Sequence, residues 1–79
     1  MATDICISLG KRVRALRLRR GWKQIDLAAH TNLGRVYISD LENGKKEPGL
    51  RTVEIIARSF DLTVSQLTRA FESHRLLSI

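Results

Sequence analysis

Arg35, Val36, Tyr37, Ser39 and Asp40 place a guanidinium fork, a branched apolar side chain, a phenol, a hydroxyl and a carboxylate within one short stretch of the chain. Carried on the outward side of a helix, these groups are equipped to read base-pair edges. Arginine donates two parallel hydrogen bonds to O6 and N7 of guanine, and a branched apolar group meets the thymine methyl. Serine bonds either kind of base, and a carboxylate accepts from the cytosine amine. Asp40 could act in that last way or by orienting Arg35, while Tyr37 suits either a phosphate contact or packing. Lys23, Gln24 and Gly34 on one side, with Asn43, Lys45 and Lys46 on the other, are the candidates for gripping a sugar–phosphate backbone.

Other chemistry lacks its residues. His30 and His74 have no Cys or carboxylate at metal-ligand spacing, and there is neither a Gly-rich phosphate loop followed by Lys nor a Ser-elbow motif. The expectation is a protein that is not an enzyme and uses no metal and no cofactor. The charge balance supports a polyanionic partner, since 14 Lys and Arg stand against 8 Asp and Glu for a net +6. Lys11, Arg12, Arg14, Arg17, Arg19, Arg20 and Lys23 form a basic run without an acid. Alone, that run reads as a solvated helix face. Beside an element that enters a major groove, it supplies the cations that phosphates require.

The elements that must position these residues follow from apolar spacing and turn residues. Leu9, Val13 and Leu16 form one stripe of a first helix, which Gly21 ends; Trp22 then folds back as a packing plug. Leu27, Ala28 and Leu33, then Ile38 and Leu41, give one apolar face to each of two short helices, 24–31 and 35–42. Asn32 can take the left-handed conformation between them, and Gly34 can begin the next helix. The second helix looks poorly capped, because Lys23 stands where Ser, Thr or Asp would accept backbone N–H groups, so a phosphate oxygen could take that role. Asn43-Gly44 signals a turn. Leu50, Val53, Ile55, Ile56 and Phe60 mark a fourth helix, and the capping box Thr63-Val64-Ser65-Gln66 opens a fifth, reaching to about residue 77.

With 79 residues, 43% of them apolar and a single Pro, the chain is expected to be one all-α domain, a compact five-helix bundle with a helix-turn-helix at Gln24–Leu41. Cys6, the only cysteine, allows no intramolecular disulfide and no Cys-based zinc site; it reads as a small buried residue. Ile5 to Leu9 is too short and too interrupted for a membrane span or signal peptide, so a cytoplasmic location is expected.

Arg14-Ala15-Leu16-Arg17, Gln24 with Leu27-Ala28, Tyr37-Ile38-Ser39, Leu41 through Lys45 and Leu62 through Leu67 together resemble the Cro/C1-type (XRE) helix-turn-helix family of bacterial and phage transcriptional regulators. The resemblance implies a lambda-repressor-like bundle whose 35–42 helix reads the major groove, and a structural salt bridge between Arg17 and Glu42. It implies double-stranded DNA with a palindromic operator as partner, a second copy of the chain, and RNA polymerase as a further possible partner. Phe60, Leu62, Val64, Leu67, Phe71 and Leu76 are the candidates for the homodimer interface, although several of them must also serve the core of the single chain. Within the family, the short chain and Arg35-Val36-Tyr37-Ile38-Ser39 look similar to restriction-modification controller proteins. An antitoxin-type or phage repressor that binds DNA and a partner protein is the alternative. Lys23, Asn32 and Val36 depart from the family pattern, which leaves base preference at Val36 open.

Overall fold

Cys6, Leu9, Val13 and Leu16 recur at helical spacing on one side of the first helix and are all buried, which fixes how that helix lies on the rest of the chain. The structure is a computed structural model that describes residues 4–69. It contains α1 (Asp4–Arg19), α2 (Gln24–Thr31), α3 (Arg35–Glu42) and α4 (Leu50–Ser59), and residues 64–69 open α5. The remainder of the expected fifth helix, with Phe71, His74 and Leu76, lies outside the described residues. Leu9, Val13, Leu16, Leu27, Ile38, Leu41, Ile56, Ala57, Phe60 and Leu67 form one core to which all five helices contribute. Among the described residues, no helix is long and apolar enough to cross a membrane.

The helix ends are closed by local hydrogen bonding. Gly21 has φ +71°, and its N–H and that of Trp22 reach back to the carbonyls of Leu18 and Arg17 at 3.0 and 3.1 Å. This is the left-handed closure expected there. α4 ends in the same way without glycine, with Asp61 at φ +58° and the Leu62 N–H donating to the Ala57 carbonyl at 2.9 Å. The expected capping box of α5 is present in both directions: Gln66 Oε1 accepts from the Thr63 N–H at 2.9 Å, and Thr63 Oγ1 accepts from the Gln66 N–H at 3.1 Å.

The α2–α3 turn adopts the expected left-handed residue, Asn32 at φ 59° and ψ 26°. Thr31 ties this turn to the preceding helix. Its buried hydroxyl donates to the Leu27 carbonyl at 2.8 Å and accepts from the Leu33 N–H at 3.3 Å. Thr31→Val keeps the shape but leaves the Leu33 N–H without its acceptor, so an unfolding titration should show a loss of about 1–2 kcal/mol. No measurable change would mean that the hydroxyl does not hold the turn.

Two features were not anticipated from the sequence. α2 begins with one half of a capping box: Asp26 Oδ2 accepts from the Lys23 N–H at 2.7 Å, while no side chain at Lys23 accepts from the first N–H groups of the helix, as its residue type implies. The second is Gly10, in the middle of α1. A Cβ built there would fall 2.4 Å from the Leu41 carbonyl oxygen and 2.7 Å from that of Glu42. Gly10 thus lets α1 press directly on the end of α3. Sequence patterning offered one signal for this, a glycine with no turn to serve.

Candidate nucleic-acid interface

α3 divides its eight residues between the core and the outside. Ile38, Leu41 and Glu42 are buried, Arg35 and Val36 are exposed, and Tyr37, Ser39 and Asp40 are half-buried. At 3.6 residues per turn, Ser39, Val36 and Asp40 span the side facing away from Ile38, with Arg35 and Tyr37 on its two flanks. Val36 is 67% exposed, which leaves its branched side chain free for an apolar contact. One part of the expectation fails. Arg35 and Asp40 are five residues apart, roughly 140° around the helix, and no ion pair joins them, so Asp40 does not orient Arg35.

What holds α3 in place is a buried polar network. Arg17 grips Glu42 with two parallel hydrogen bonds, Nε to Oε2 at 2.6 Å and Nη2 to Oε1 at 3.0 Å. Its third nitrogen, Nη1, donates to the Trp22 carbonyl at 2.8 Å. Gln24, expected to grip a phosphate, instead has its amide tied inward, with Nε2 donating to Glu42 Oε1 at 3.3 Å. The start of α2 and the end of α3 are therefore coupled through one carboxylate. The Gln24 and Ile25 N–H groups, first in α2, still have no intrahelical acceptor and remain usable by an anion. Gly34, the N-cap of α3, is exposed with no side chain to obstruct an approach.

Tyr37 packs against the core, and burial pushes its hydroxyl up from the ordinary phenol value. Lys46 Nζ lies 5.7 Å from the centre of the Tyr37 ring. Lys23, Asn43 and Lys45 are exposed around the same two helices.

The basic run along α1 is not one solvated face. Arg12 donates to the Leu67 and Gln66 carbonyls at 3.1 and 3.3 Å, fastening α1 to α5. Arg20 donates to the Phe60 carbonyl at 2.9 Å and pairs with Asp61 at 3.3 Å. With Arg17 buried, three of the seven cations are structural. Lys11, Arg14, Arg19 and Lys23 remain exposed and make no side-chain bond among the described residues. Trp22 packs as expected, stacked on Phe60 at 5.6 Å and on His30 at 4.2 Å.

The proposed dimer residues separate in the same way. Phe60 and Leu67 are 3% and 0% exposed, buried inside their own subunit, and so are not available to a second copy. Leu62 and Val64 are half-buried, and Phe71 and Leu76 lie outside the described residues. Patterning missed Leu50, which is 79% exposed and shares a groove with Arg51, Glu54 and Val64. Its helical spacing looks like a core position, yet as the first residue of α4 it lies beyond the edge of the bundle.

A family model described as Helix-turn-helix matches residues 13–67. The chain is 34% identical over 61 residues to the immunity repressor protein of Bacillus phage phi105, covering 77% of this chain and 42% of that protein. It is 35% identical over 65 residues to the control protein C.MunI of Mycoplasma sp., covering 81% of this chain and 88% of that one. The restriction-modification controller protein C.AhdI of Aeromonas hydrophila superposes with a TM-score of 0.75 at 29% identity, over 78% of this chain and 94% of that one. The chain spans about half the length of several curated relatives, 42%, 51% and 56% for three of them.

Proposed function

The chain belongs to the Cro/C1-type helix-turn-helix family, and on that footing we propose that it is a sequence-specific transcriptional regulator that binds a palindromic double-stranded DNA operator as a homodimer. The observation that carries this reading is the division of α3: its inner side is locked by the core and by Arg17–Glu42, while Arg35, Val36, Ser39 and Asp40 are presented outward. A rigid helix with free polar and branched side chains, flanked by Lys23, Lys45 and Lys46, suits a major groove and its phosphate walls. The whole of 1–79 acts as one domain in this reading, in the cytoplasm. The second copy docks through the surface around exposed Leu50 and half-buried Val64, which share one groove. RNA polymerase is a further partner for such a regulator.

Within the family, the controller protein of a restriction-modification system is the finer reading. Its support is that the match spans nearly all of C.MunI and C.AhdI.

Selection from a random duplex library, followed by titration at several salt concentrations, tests the regulator reading. Specific binders prefer their site by roughly 10³- to 10⁷-fold, and a preference below tenfold would end the proposal. Arg35→Ala should cost about 1–3 kcal/mol on the selected site and relax preference at one base pair. Lys46→Ala should weaken all duplexes alike and lower the salt slope by about one.

A further inference from the structure

Lys46 lies on the irregular stretch 45–49 between α3 and α4, where no helix holds the backbone. Its ammonium group nevertheless has a defined neighbour, the face of the Tyr37 ring, with Nζ 5.7 Å from the centroid. That distance is within the range over which a cation is drawn to an aromatic face. The ring is itself anchored, because Tyr37 belongs to rigid α3 and packs against the core. Arg35 and Tyr37 are two residues apart, roughly 160° around the helix, so Lys46 is held on the flank of α3 opposite Arg35. A lysine on that flank, away from the base-reading Arg35, suits a phosphate along one wall of the groove.

We propose that Tyr37 is a positioning residue that presents the Lys46 ammonium to the phosphate backbone, and that it acts through its ring rather than its hydroxyl. This rests on the DNA-binding reading above. A lysine held in place before binding loses less rotamer freedom when it meets a phosphate, so the ring raises affinity without reading any base. Tyr37 thereby affects all sequences alike, whereas Arg35 and Val36 discriminate among them.

The test is a double-mutant cycle on the selected operator duplex. Tyr37→Leu should weaken binding about two- to fivefold in the wild-type background and have no effect in Lys46→Ala, while Tyr37→Phe should bind as the wild type does. If Tyr37→Leu does not fold, Tyr37→Met provides an unbranched side chain without a ring in its place. A Phe variant as weak as the Leu variant would assign the role to the hydroxyl and overturn the proposal, as would additive effects of Tyr37→Leu and Lys46→Ala. A DNA-free readout separates this inference from the reading beneath it. The Lys46 ε-methylene protons should show an upfield ring-current shift in the wild type and in Tyr37→Phe, and lose it in Tyr37→Leu. Absence of that shift refutes the positioning role while leaving DNA binding intact. Its presence in a protein that prefers no duplex refutes the DNA-binding reading instead, and the proposed role with it.

Discussion

Glu42→Ala is expected to lower the unfolding free energy by about 3–5 kcal/mol, the range for breaking a buried ion pair from one side. The Glu42 side chain is 2% exposed and that of Arg17 9%, so solvent cannot replace the lost carboxylate. The guanidinium would keep only the Trp22 carbonyl, and the Gln24 amide would lose its acceptor as well. Domains of this kind have roughly 5–15 kcal/mol of stability in all, so a loss of this size is a large fraction of the whole. Replacing both partners with apolar residues, as in Arg17→Met with Glu42→Leu, should recover a large part of the loss, because no charge is then stranded. Denaturant titration of the single and double variants checks both statements. A loss near the 0.2–1 kcal/mol typical of exposed pairs would show that the network is weaker than its geometry suggests.

Gly10→Ala should destabilise by about 2–3 kcal/mol, against what local propensity alone would give. In an isolated helix, alanine is better than glycine by about 1 kcal/mol, which favours the variant. The tertiary contact opposes it more strongly, since the new methyl would lie 2.4 Å from the Leu41 carbonyl oxygen and 2.9 Å from the Glu42 carbonyl carbon. These are backbone atoms, which cannot swing aside as a flexible side chain could. α1 would have to move away from the end of α3 and carry Arg17 with it. Thermal unfolding should therefore show a markedly lower midpoint with unchanged helix content in the folded state. A raised midpoint would mean that the helices separate freely and that propensity prevails.

The two variants concern the same junction, which bears on the site directly. Glu42 closes α3, Arg17 and Gly10 lie on the neighbouring side of α1, and Gln24 opens α2. The base reading proposed for Arg35 and Val36 depends on this junction, which fixes the angle of their helix. Base recognition tolerates little misplacement, so the loss of either contact should reduce DNA preference even in molecules that stay folded.

Much of this architecture was legible in the residues. Leu9, Val13 and Leu16, then Ile38 and Leu41, announced their helices because side chains three and four apart share a face wherever the helix ends up. Gly21, Asn32 and Gly44 announced the closures because few other residues take a positive φ without strain. The Arg17–Glu42 pair came from family resemblance and not from the residues themselves, since 25 positions separate its partners. The Asp26 bond to the Lys23 N–H was local and was overlooked, because patterning looked for an acceptor at the N-cap and not for a carboxylate three residues into the helix.

What the sequence determined by itself, then, was the set of helices, their turns and the outward composition of α3, all governed by contacts within about one helical turn. Which polar and apolar groups were free to act was decided only by tertiary structure. Arg12, Arg17 and Arg20 resemble Arg14 and Arg19 in type and spacing, yet they are bound to partners 55, 25 and 40 positions away. Phe60 and Leu67 likewise could not be assigned between the subunit's own core and a dimer seam until the core closed around them. Local periodicity states which way a side chain points from its own helix, and only the packing of the other helices determines whether it meets solvent, a carbonyl or a carboxylate.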